Sequence, residues 1–573
     1  AGRVECLKFA FAFLVALWVG SALSLFAEHP VLHRTRFSLS TLPLILLVGL
    51  LALPVLALLA SWLPWGVVQA DTGAILREMA STVLPGYVWT TLWLGLWVAV
   101  GAAVVGTATA AAVTLFEFPG RRVFEWLLLL PLAMPAYVTA YAYTDFLQFS
   151  GPLQVGLRET FGLEGRLLPE VRSLWGAIWV FTFSLYPYVY LLARTALGER
   201  AAHLMEAARL LGAPLSRRIT SIALPLARPA VAAGVALALM ETLADFGVTS
   251  YFGIQTFTTG IIKAWLSMDN RIAAAQLSTM LLALVLVLLW LEHRAERRMR
   301  FTAKGTGHAG ATEAQPVPLR GLARGLAWGV CTLPVFMGFV APVAFMLRPL
   351  ASDWSVLPWS RFLEWAWNSV RLGGITAGLA VAVALALAFA VRRKPDLLTR
   401  GVVRLASVGY AVPGAVIVVG LLLPVGWVQA HFPHWGVGAL VTTTAVGIVW
   451  AYLVRFCAVA LQSVQSGYAR IPASLDDSAR MLGAGSARLM ANVHWPLLRR
   501  STAAAALLVF VDVMKELPAT MVLRPFNSDT LAVVAYQLAR DERLGEAALP
   551  SLALVAVGLV PVILLSRTLR GRA

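Results

Sequence analysis

Long uncharged apolar runs alternate with short polar segments along almost the whole chain. A helix needs about 20 mostly apolar residues to cross a bilayer. Runs of this kind lie at roughly residues 9–27, 41–62, 88–115, 126–144, 173–193, 272–291, 325–347, 372–391, 405–430, 435–454 and 547–566. Two further spans, about 224–246 and 496–520, carry acidic side chains. The pattern predicts an all-α, polytopic membrane protein.

Composition and charge agree with this pattern and add an orientation. Of the 573 residues, 59% are hydrophobic and 13% are charged, whereas about a quarter are charged in soluble proteins. Lys and Arg collect in cytoplasmic loops of membrane proteins. We therefore predict cytoplasmic positions, including a cytoplasmic C-terminus, for the basic segments at residues 121–122, 194–228, 294–304, 392–404, 455–500 and 567–572. The net charge of +17 is then a topology signal with membrane lipid as the partner, and nucleic acid is not expected.

Two smaller features qualify the outline. Residues 7–27 are apolar and fit an extra span, a signal-like stretch or sequence upstream of the true start. Because no convincing small-residue cleavage site is present, we expect an additional helix in an N-terminal segment covering residues 1–36. The three cysteines, Cys6, Cys331 and Cys457, lie in or beside different apolar spans. Neither a disulfide framework nor a stable metal site is therefore expected.

A duplication divides the chain. The segment EAARLLGAPLSRRITSIALP at 206–225 has a counterpart, DSARMLGAGSARLMANVHWP, at 477–496, with a constant offset of 271 (477 − 206). Upstream, Thr90-Thr91 resembles Asn368-Ser369, and Pro135 resembles Pro413, both at an offset of 278 (368 − 90). Repeated segments of this kind are typical of duplicated transporters. We predict two homologous halves, 37–291 and 325–573, with membrane cores at about 88–293 and 367–566, joined by a cytoplasmic linker at 292–324.

The repeated segment resembles the signature of inner-membrane permeases of bacterial ABC importers of the binding-protein-dependent type. That resemblance covers nearly all of residues 37–573 and implies two six-helix halves with about 12 spanning helices. It also implies a periplasmic binding protein and two copies of an ABC ATPase as partners in a multi-pass assembly of the bacterial inner membrane. PLAMPAYVTAYAY at 131–143 and KELPATMVLRPFNSDTLAV at 515–533 are most similar to fused permeases of ferric-iron importers. Permeases for thiamine or other small organic cations share this layout and are the alternative.

The repeated segments are expected to be the contact points for the ATPase. Gly212 suits a left-handed helix end, and Pro214 suits the start of the next helix, so the segment predicts a helix, a sharp turn and a second helix. The resemblance assigns ATPase coupling to Glu206, Ala207, Ala208, Gly212, Asp477, Ser478, Ala479 and Gly483. An amphipathic helix lying on lipid headgroups is the alternative interpretation. Two copies at one offset, each followed by a span, favour coupling.

The energy source must lie outside this chain. A phosphate-binding loop needs Gly-Lys followed by Ser or Thr, and none of the five lysines follows a glycine. We therefore expect no cofactor in this chain, with ATP and magnesium bound by the partner ATPase. The sequence shows no Ser-His-Asp, zincin or paired-cysteine pattern, so an enzyme is not expected.

Acidic residues inside the spans are candidates for the translocation path. Glu241 and Asp245 lie four residues apart on one helical face, and their counterparts at offset 271 are Asp512 and Glu516. With Lys515 as a partial counter-charge, these carboxylates would suit a highly charged cation such as Fe(III). Alternatively, each acid pairs with a nearby base or caps a segment before Gly247 or Pro518.

A second candidate polar cluster consists of Tyr137, Tyr141 and Tyr143 with Asp145, because phenol oxygens also suit iron, and Tyr137 and Tyr141 are its candidates for the path. Tyrosines are at least as often anchors at a membrane interface. A secondary transporter driven by an ion gradient would also contain repeats and intramembrane acids. It would leave the paired cytoplasmic segments unexplained.

Overall fold

The computed structural model describes residues 42–62, 72–199, 201–303, 316–352, 354–355, 357–393 and 396–570. The expected N-terminal helix within residues 1–36, and part of the linker, lie outside these residues. Within the described chain, ten helices are long and apolar enough to span a membrane, or eleven if Arg121–Ala133 and Ala136–Phe161, bent by 89°, form one span. The all-α polytopic fold is confirmed.

The first part of the chain contains thirteen helices and a short strand in the described residues. They are α1 (Leu42–Ala60), α2 (Thr72–Ser81), α3 (Leu84–Leu115), β1 (Phe116–Glu117), α4 (Arg121–Leu127), α5 (Ala136–Leu147), α6 (Pro152–Phe161), α7 (Leu174–Glu199), α8 (Ala201–Leu210), α9 (Leu215–Arg218), α10 (Leu224–Ala244), α11 (Gly247–Tyr251), α12 (Phe257–Ile262) and α13 (Arg271–Ala303). A 3-10 turn, Leu130–Ala133, precedes α5, and wider π turns, Ile219–Ala223 and Lys263–Ser267, follow α9 and α12.

The second part begins with a short strand and continues with thirteen described helices. They are β2 (Val317–Pro318), α14 (Leu322–Val335), α15 (Ala341–Ser352), α16 (Trp359–Arg393), α17 (Leu397–Ser407), α18 (Gly414–His431), α19 (Val437–Thr443), α20 (Ala445–Tyr468), α21 (Ala473–Met481), α22 (Ser486–Leu489), α23 (Trp495–Lys515), α24 (Pro518–Leu523), α25 (Leu531–Arg540) and α26 (Leu544–Arg570). Four further turns are Phe336–Val340, Val408–Ala411, Pro433–Trp435 and Met490–His494.

Several boundaries differ from the sequence prediction. The span expected at 435–454 is the helix α20, which continues to Tyr468, so Arg455 lies inside a span rather than in a basic loop. The span expected at about 496–520 is α23, and it is too charged to count among the ten apolar helices because Arg499, Arg500, Asp512 and Lys515 fall within it. Charged residues inside a helix therefore shifted the predicted boundaries of both spans.

Packing groups the described residues into two compact units that do not follow chain order. The first-core unit comprises Gly86–Thr259, Val287–Phe362 and the residues from Val534 onward. The second-core unit comprises the described residues up to Pro85, Gly260–Leu286 and Leu363–Val533. Each unit thus combines segments from both predicted halves. The division into halves at the linker stays a prediction.

Helix packing inside the first-core unit depends on small residues. A β-carbon on Gly234 of α10 would lie 2.6 Å from the Cα atom of Val189 in α7, so only glycine permits this approach. Close approach of this kind is a common source of helix association in membranes. The apolar core beside it includes Tyr186, Tyr190 and Cys331, all fully buried. The strands β1 and β2 pair in parallel at its edge, with Phe116 opposite Val317.

The second-core unit packs α1 against α18 and α20 against α23. Indole groups fix its edges: Trp450 donates a hydrogen bond to the carbonyl of Leu50 (3.0 Å), and Trp62 donates to the hydroxyl of Thr279 (3.0 Å). These contacts join residues that lie far apart in the chain.

The sequence repeat has structural counterparts in both units. Pro135 and Pro413 each stand between a 3-10 turn and the helix that follows, α5 or α18. Thr91 and Ser369 each accept a hydrogen bond from the first backbone amide of a later helix, Phe257 at 3.3 Å and Leu531 at 2.9 Å. Residues paired at offset 278 therefore have similar side chains and also similar positions and hydrogen bonds in the structure.

Candidate functional site

The first candidate coupling element is the turn between α8 and α9. The helix α8 ends at Leu210, and Gly212 adopts a left-handed conformation with φ of 77°. The Gly212 amide donates to the carbonyl of Arg209 and the Ala213 amide donates to Ala208, both at 3.0 Å. Pro214 then precedes α9. The expected helix, sharp turn and second helix are confirmed.

The second element repeats this geometry 271 residues later. Gly483 has φ of 81°, its amide donates to the carbonyl of Arg480 (2.9 Å), and the Ala484 amide donates to Ala479 (3.0 Å). A short helix, α22, follows, and a π turn leads into α23 at the same offset of 271 (490 − 219) from the π turn that leads into α10. Two segments of different sequence therefore present the same backbone shape.

The outer face of each element carries an acid. Glu206 lies 3.7 Å from Arg209 and Asp477 lies 3.3 Å from Arg480, both as neighbours on one helix turn. The side chain of Glu206 is 48% exposed and that of Asp477 is 72% exposed. Exposed ion pairs of this kind contribute little to stability, so the acids can exchange partners at low cost.

Sequence reasoning missed the most exposed apolar residues of these elements. Leu210 and Leu211 are 83% and 87% exposed, and Met481 and Leu482 are 88% and 87% exposed. Each pair directly precedes the left-handed glycine. The sequence signal that could have identified these residues is the apolar pair directly before the glycine in both copies. We call these four side chains the apolar tips. The residues near them are small, namely Ala207, Ala208, Ser478 and Ala479.

The predicted membrane acids occupy equivalent places in their respective units. Asp245 directly follows the last residue of α10, and its Oδ1 accepts hydrogen bonds from the backbone amides of Val248 (2.9 Å) and Thr249 (3.4 Å). Glu516 directly follows the last residue of α23, and its carboxylate accepts hydrogen bonds from the amides of Ala519 and Thr520, both at 3.0 Å. Each acid therefore caps the start of the next short helix, α11 or α24, which was the alternative interpretation of these residues.

Glu516 has an ion-pair partner as well. Its Oε1 lies 3.2 Å from Nη1 of Arg455, and its carboxylate also accepts a 2.8 Å hydrogen bond from the Thr520 hydroxyl. Glu241 lies one turn before Asp245, and Asp512 one turn before Glu516; both acids, like Lys515, are half-buried. Their role in a path stays a prediction.

Tyr137 and Tyr141 lie in the first-core unit, buried at 4% and 3% exposure. Tyr141 packs edge-on against Tyr251 with 4.7 Å between ring centroids, and Tyr137 is 5.7 Å from Tyr141. Nearby, the hydroxyls of Ser250 and Tyr536 are 2.8 Å apart. Burial distinguishes this cluster from tyrosines at a membrane surface. Among the described residues, no group of three His, Cys, Asp or Glu side chains is placed to hold a metal ion.

A further polar contact of this unit was not predictable from local sequence. Arg172 binds both carboxylate oxygens of Glu542, at 2.6 and 2.8 Å, and lies over the Tyr251 ring at 4.7 Å. The hydrogen bond from Arg172 lowers the pKa of the Glu542 carboxyl. The partners are 370 residues apart, so no motif connects them.

Comparison with known proteins gives a family match and relatives that align with most of the chain. Residues 102–301 match the family described as "Binding-protein-dependent transport system inner membrane component". The "Fe(3+)-transport system permease protein FbpB 2" of Haemophilus influenzae is 27% identical over 83% of this chain and 88% of its own. The "Probable ABC transporter permease protein y4fN" of Sinorhizobium fredii is 26% identical over 84% and 87%. The "Ferric transport system permease protein FbpB" of Actinobacillus pleuropneumoniae is 22% identical over 92% and 77%.

Proposed function

We propose that this chain, an ABC importer permease whose residues 102–301 form a binding-protein-dependent transport domain, moves ferric iron across the bacterial inner membrane by alternating access. The observation that carries the substrate is the similarity to two ferric permeases, which extends over 83% and 92% of the chain. A periplasmic binding protein delivers the cation. An ATPase on the cytoplasmic side, where the C-terminus also lies, supplies the energy.

Two copies of the ATPase dock on the two coupling elements, one on each. The turns at Gly212 and Gly483 have similar backbone geometry, which supports two equivalent binding sites for identical ATPase subunits. The apolar tips, Leu211 and Leu482, supply the contact that excludes water, and the exposed acids Glu206 and Asp477 meet basic side chains of the ATPase. Binding hot spots typically combine a buried apolar anchor with a surrounding polar contact.

The membrane acids form the end of the path that receives the cation. The helical run Leu215–Ala244, from the first coupling turn to the residue before Asp245, has 30 residues and is therefore about 45 Å long. That length exceeds the hydrocarbon thickness of about 30 Å, so Asp245, and Glu516 by the same repeat, lie toward the outer side. Interrupted helices commonly form ion sites in transporters. The other candidate path residues are Glu241, Tyr137 and Tyr141 in the first-core unit, and Asp512 and Lys515 in the second-core unit.

The outer surface offers a contact for the binding protein. Phe526 is 98% exposed on the loop between α24 and α25. An ion pair at 2.7 Å between Arg524 and Asp529 closes this loop, and the Ser528 amide donates to the carbonyl of Pro525 (3.2 Å). A rigid loop with an exposed aromatic tip is suited to insertion into a partner, because little conformational freedom is lost on binding.

The substrate is tested by deleting the gene in its own host. Uptake of radiolabelled ferric citrate, thiamine and a divalent metal is measured in the deletion strain and after complementation with the full chain. Loss and recovery confined to ferric iron is the expected result. Recovery of thiamine uptake instead would show that thiamine, not ferric iron, is the substrate. Uptake that persists after removal of the partner ATPase would exclude ATP-driven import.

A further inference from the structure

A second acid, Asp476, lies beside the exposed Asp477 but is buried, with its side chain 5% exposed. Its Oδ2 accepts a 2.8 Å hydrogen bond from Nε of Arg392, and its Oδ1 accepts from Nη2 of the same guanidinium (3.3 Å). The Oδ1 atom is also 3.0 Å from Nε2 of His494. The carboxylate therefore contacts the guanidinium group of Arg392 and the imidazole ring of His494 inside the protein.

The surrounding contacts extend this network. His494 is fully buried in the π turn before α23, and its Nδ1 is 3.2 Å from the hydroxyl of Tyr468, the last residue of α20. The Phe389 ring of α16 packs edge-on against the His494 ring, with 5.6 Å between centroids. Arg392 donates a further 2.9 Å hydrogen bond to the carbonyl of Pro472, directly before α21.

The network reaches a helix that is not adjacent in the chain. The elements α20, α21, α22 and α23 follow one another, so movement of the coupling turn reaches them through the backbone. Arg392 belongs to α16, 84 residues before Asp476. The helix α16 does not directly precede or follow the second coupling element in the chain. The side chains of Arg392 and Asp476 therefore connect that element to the cytoplasmic end of α16.

The first coupling element has different chemistry at the same places. At offset 271, Asp476, His494 and Tyr468 correspond to Met205, Ala223 and Leu197, which are 6%, 0% and 1% exposed. All three belong to the apolar core of the first-core unit. The position equivalent to Arg392, at offset 278, is Thr114. Apolar packing holds one element, and a charged, hydrogen-bonded network holds the other.

We propose that Asp476 is a positioning residue, which transmits the movement of the second coupling element to α16 through Arg392. This inference rests on the proposed ATP-driven import. Apolar packing tolerates sliding, because it has no directional contacts, whereas a two-point hydrogen bond between carboxylate and guanidinium fixes both distance and orientation. Movement of α21 is therefore followed by the end of α16.

The test uses the permease assembled with its ATPase and binding protein in proteoliposomes. Asp476→Asn removes the charge and keeps the shape, Asp476→Glu keeps the charge, and Arg392→Gln removes the pair from the other side. ATPase co-purification, ATP hydrolysis and cation uptake are measured for each. We expect Asp476→Asn and Arg392→Gln to retain ATPase binding and hydrolysis while uptake per ATP falls about tenfold, with partial recovery in Asp476→Glu. Asp541→Asn, an exposed acid on another loop, is the matched control and should match the wild type.

The outcomes separate this inference from the proposed function. If both variants lose uptake only in proportion to lost protein or lost ATPase binding, Asp476 is merely structural and the inference fails. Unchanged uptake per ATP in Asp476→Asn overturns it as well. Failure of the wild-type assembly to couple uptake to hydrolysis would contradict the proposed function itself, independently of either variant.

Discussion

Arg455 and Glu516 form a buried ion pair, with Nη1 and Oε1 3.2 Å apart and side-chain exposures of 15% and 1%. The pair joins α20 to the acid that caps α24. The position equivalent to Arg455 in the first repeat is Ser184 (455 − 271), so Asp245 has no guanidinium at that place. The two capping acids share a backbone role but differ in their electrostatic surroundings.

Replacing Arg455 by Leu should destabilise the protein strongly. The substitution leaves the Glu516 carboxylate buried without its counter-charge, which typically costs about 3–5 kcal/mol. Denaturant unfolding in mixed micelles measures the change. Arg348→Leu is the control, because the Arg348 side chain is 44% exposed in its pair with Asp145, and its loss should cost no more than about 1 kcal/mol. Equal losses for the two variants would mean that Glu516 does not depend on Arg455.

Charge reversal at the coupling acids should uncouple the two sites unequally. The first element keeps the complete EAA pattern, whereas the second has Asp477 and Ser478 in place of Glu and Ala. We expect Glu206→Lys to reduce transport more than Asp477→Lys, and the double variant to abolish co-purification with the ATPase. Co-purification and ferric iron uptake are measured together. Equal defects at the two sites would contradict the asymmetry.

The apolar tips should dominate ATPase affinity. Leu211→Asp or Leu482→Asp places a charge in a contact from which water is excluded, and we expect each to weaken ATPase binding about tenfold or more. Titration of the purified ATPase onto the permease measures the dissociation constant. Leu163→Asp changes a leucine that is 46% exposed on the loop before α7, and binding should be unchanged. Full ATPase affinity in both the Leu211→Asp and Leu482→Asp variants would show that the ATPase binds elsewhere on the permease.

Neutralising the half-buried acids should impair passage rather than assembly. Glu241→Gln combined with Asp512→Asn removes two carboxylates and leaves the caps at Asp245 and Glu516 in place. We expect at least about tenfold slower ferric iron uptake with normal ATPase co-purification. Normal uptake in a normally assembled double variant would remove these residues from the path.

Acidification should weaken the contacts of Asp476 that hold the second coupling element against α16. Burial raises the pKa of Asp476, but the hydrogen bonds from Arg392 and His494 outweigh burial and hold the pKa below 3.8. Because the folded-state pKa lies below the unfolded one, the carboxylate stabilises the fold above the unfolded pKa, and this contribution is lost as pH falls through the folded pKa. The melting temperature should therefore fall less below pH ~4 in Asp476→Asn than in the wild type. Parallel pH profiles of the two proteins would show that Asp476 has the same pKa in both states.

The sequence predicted what depends on local pattern and repetition. Gly212 and Gly483 indicated left-handed turns, because few other residues adopt that conformation at low cost. Spans followed from apolar length. The position of Arg455 was mispredicted because the uncharged run ends at residue 454, whereas the helix continues to Tyr468 and Arg455 pairs with Glu516 inside it.

Contacts over long sequence separations were beyond pattern reasoning. Nothing near Arg392 indicates that it would bind Asp476, and nothing near Arg172 indicates Glu542. Such pairs depend on which helices pack together. The grouping of α1 with α18 likewise depends on packing and has no sequence signature.

The exposed tips before Gly212 and Gly483 also have a consequence for biogenesis. In the proposed topology, a permease inserted before its ATPase is present holds Leu210, Leu211, Met481 and Leu482 on the cytosolic side, each more than 80% exposed. Exposed apolar side chains are sites for aggregation and for recognition by chaperones and proteases. Docking of the ATPase would cover both tips at once. The four side chains proposed to bind the ATPase would thus also mark unassembled permease for degradation, so that its abundance in the membrane would follow the supply of the ATPase.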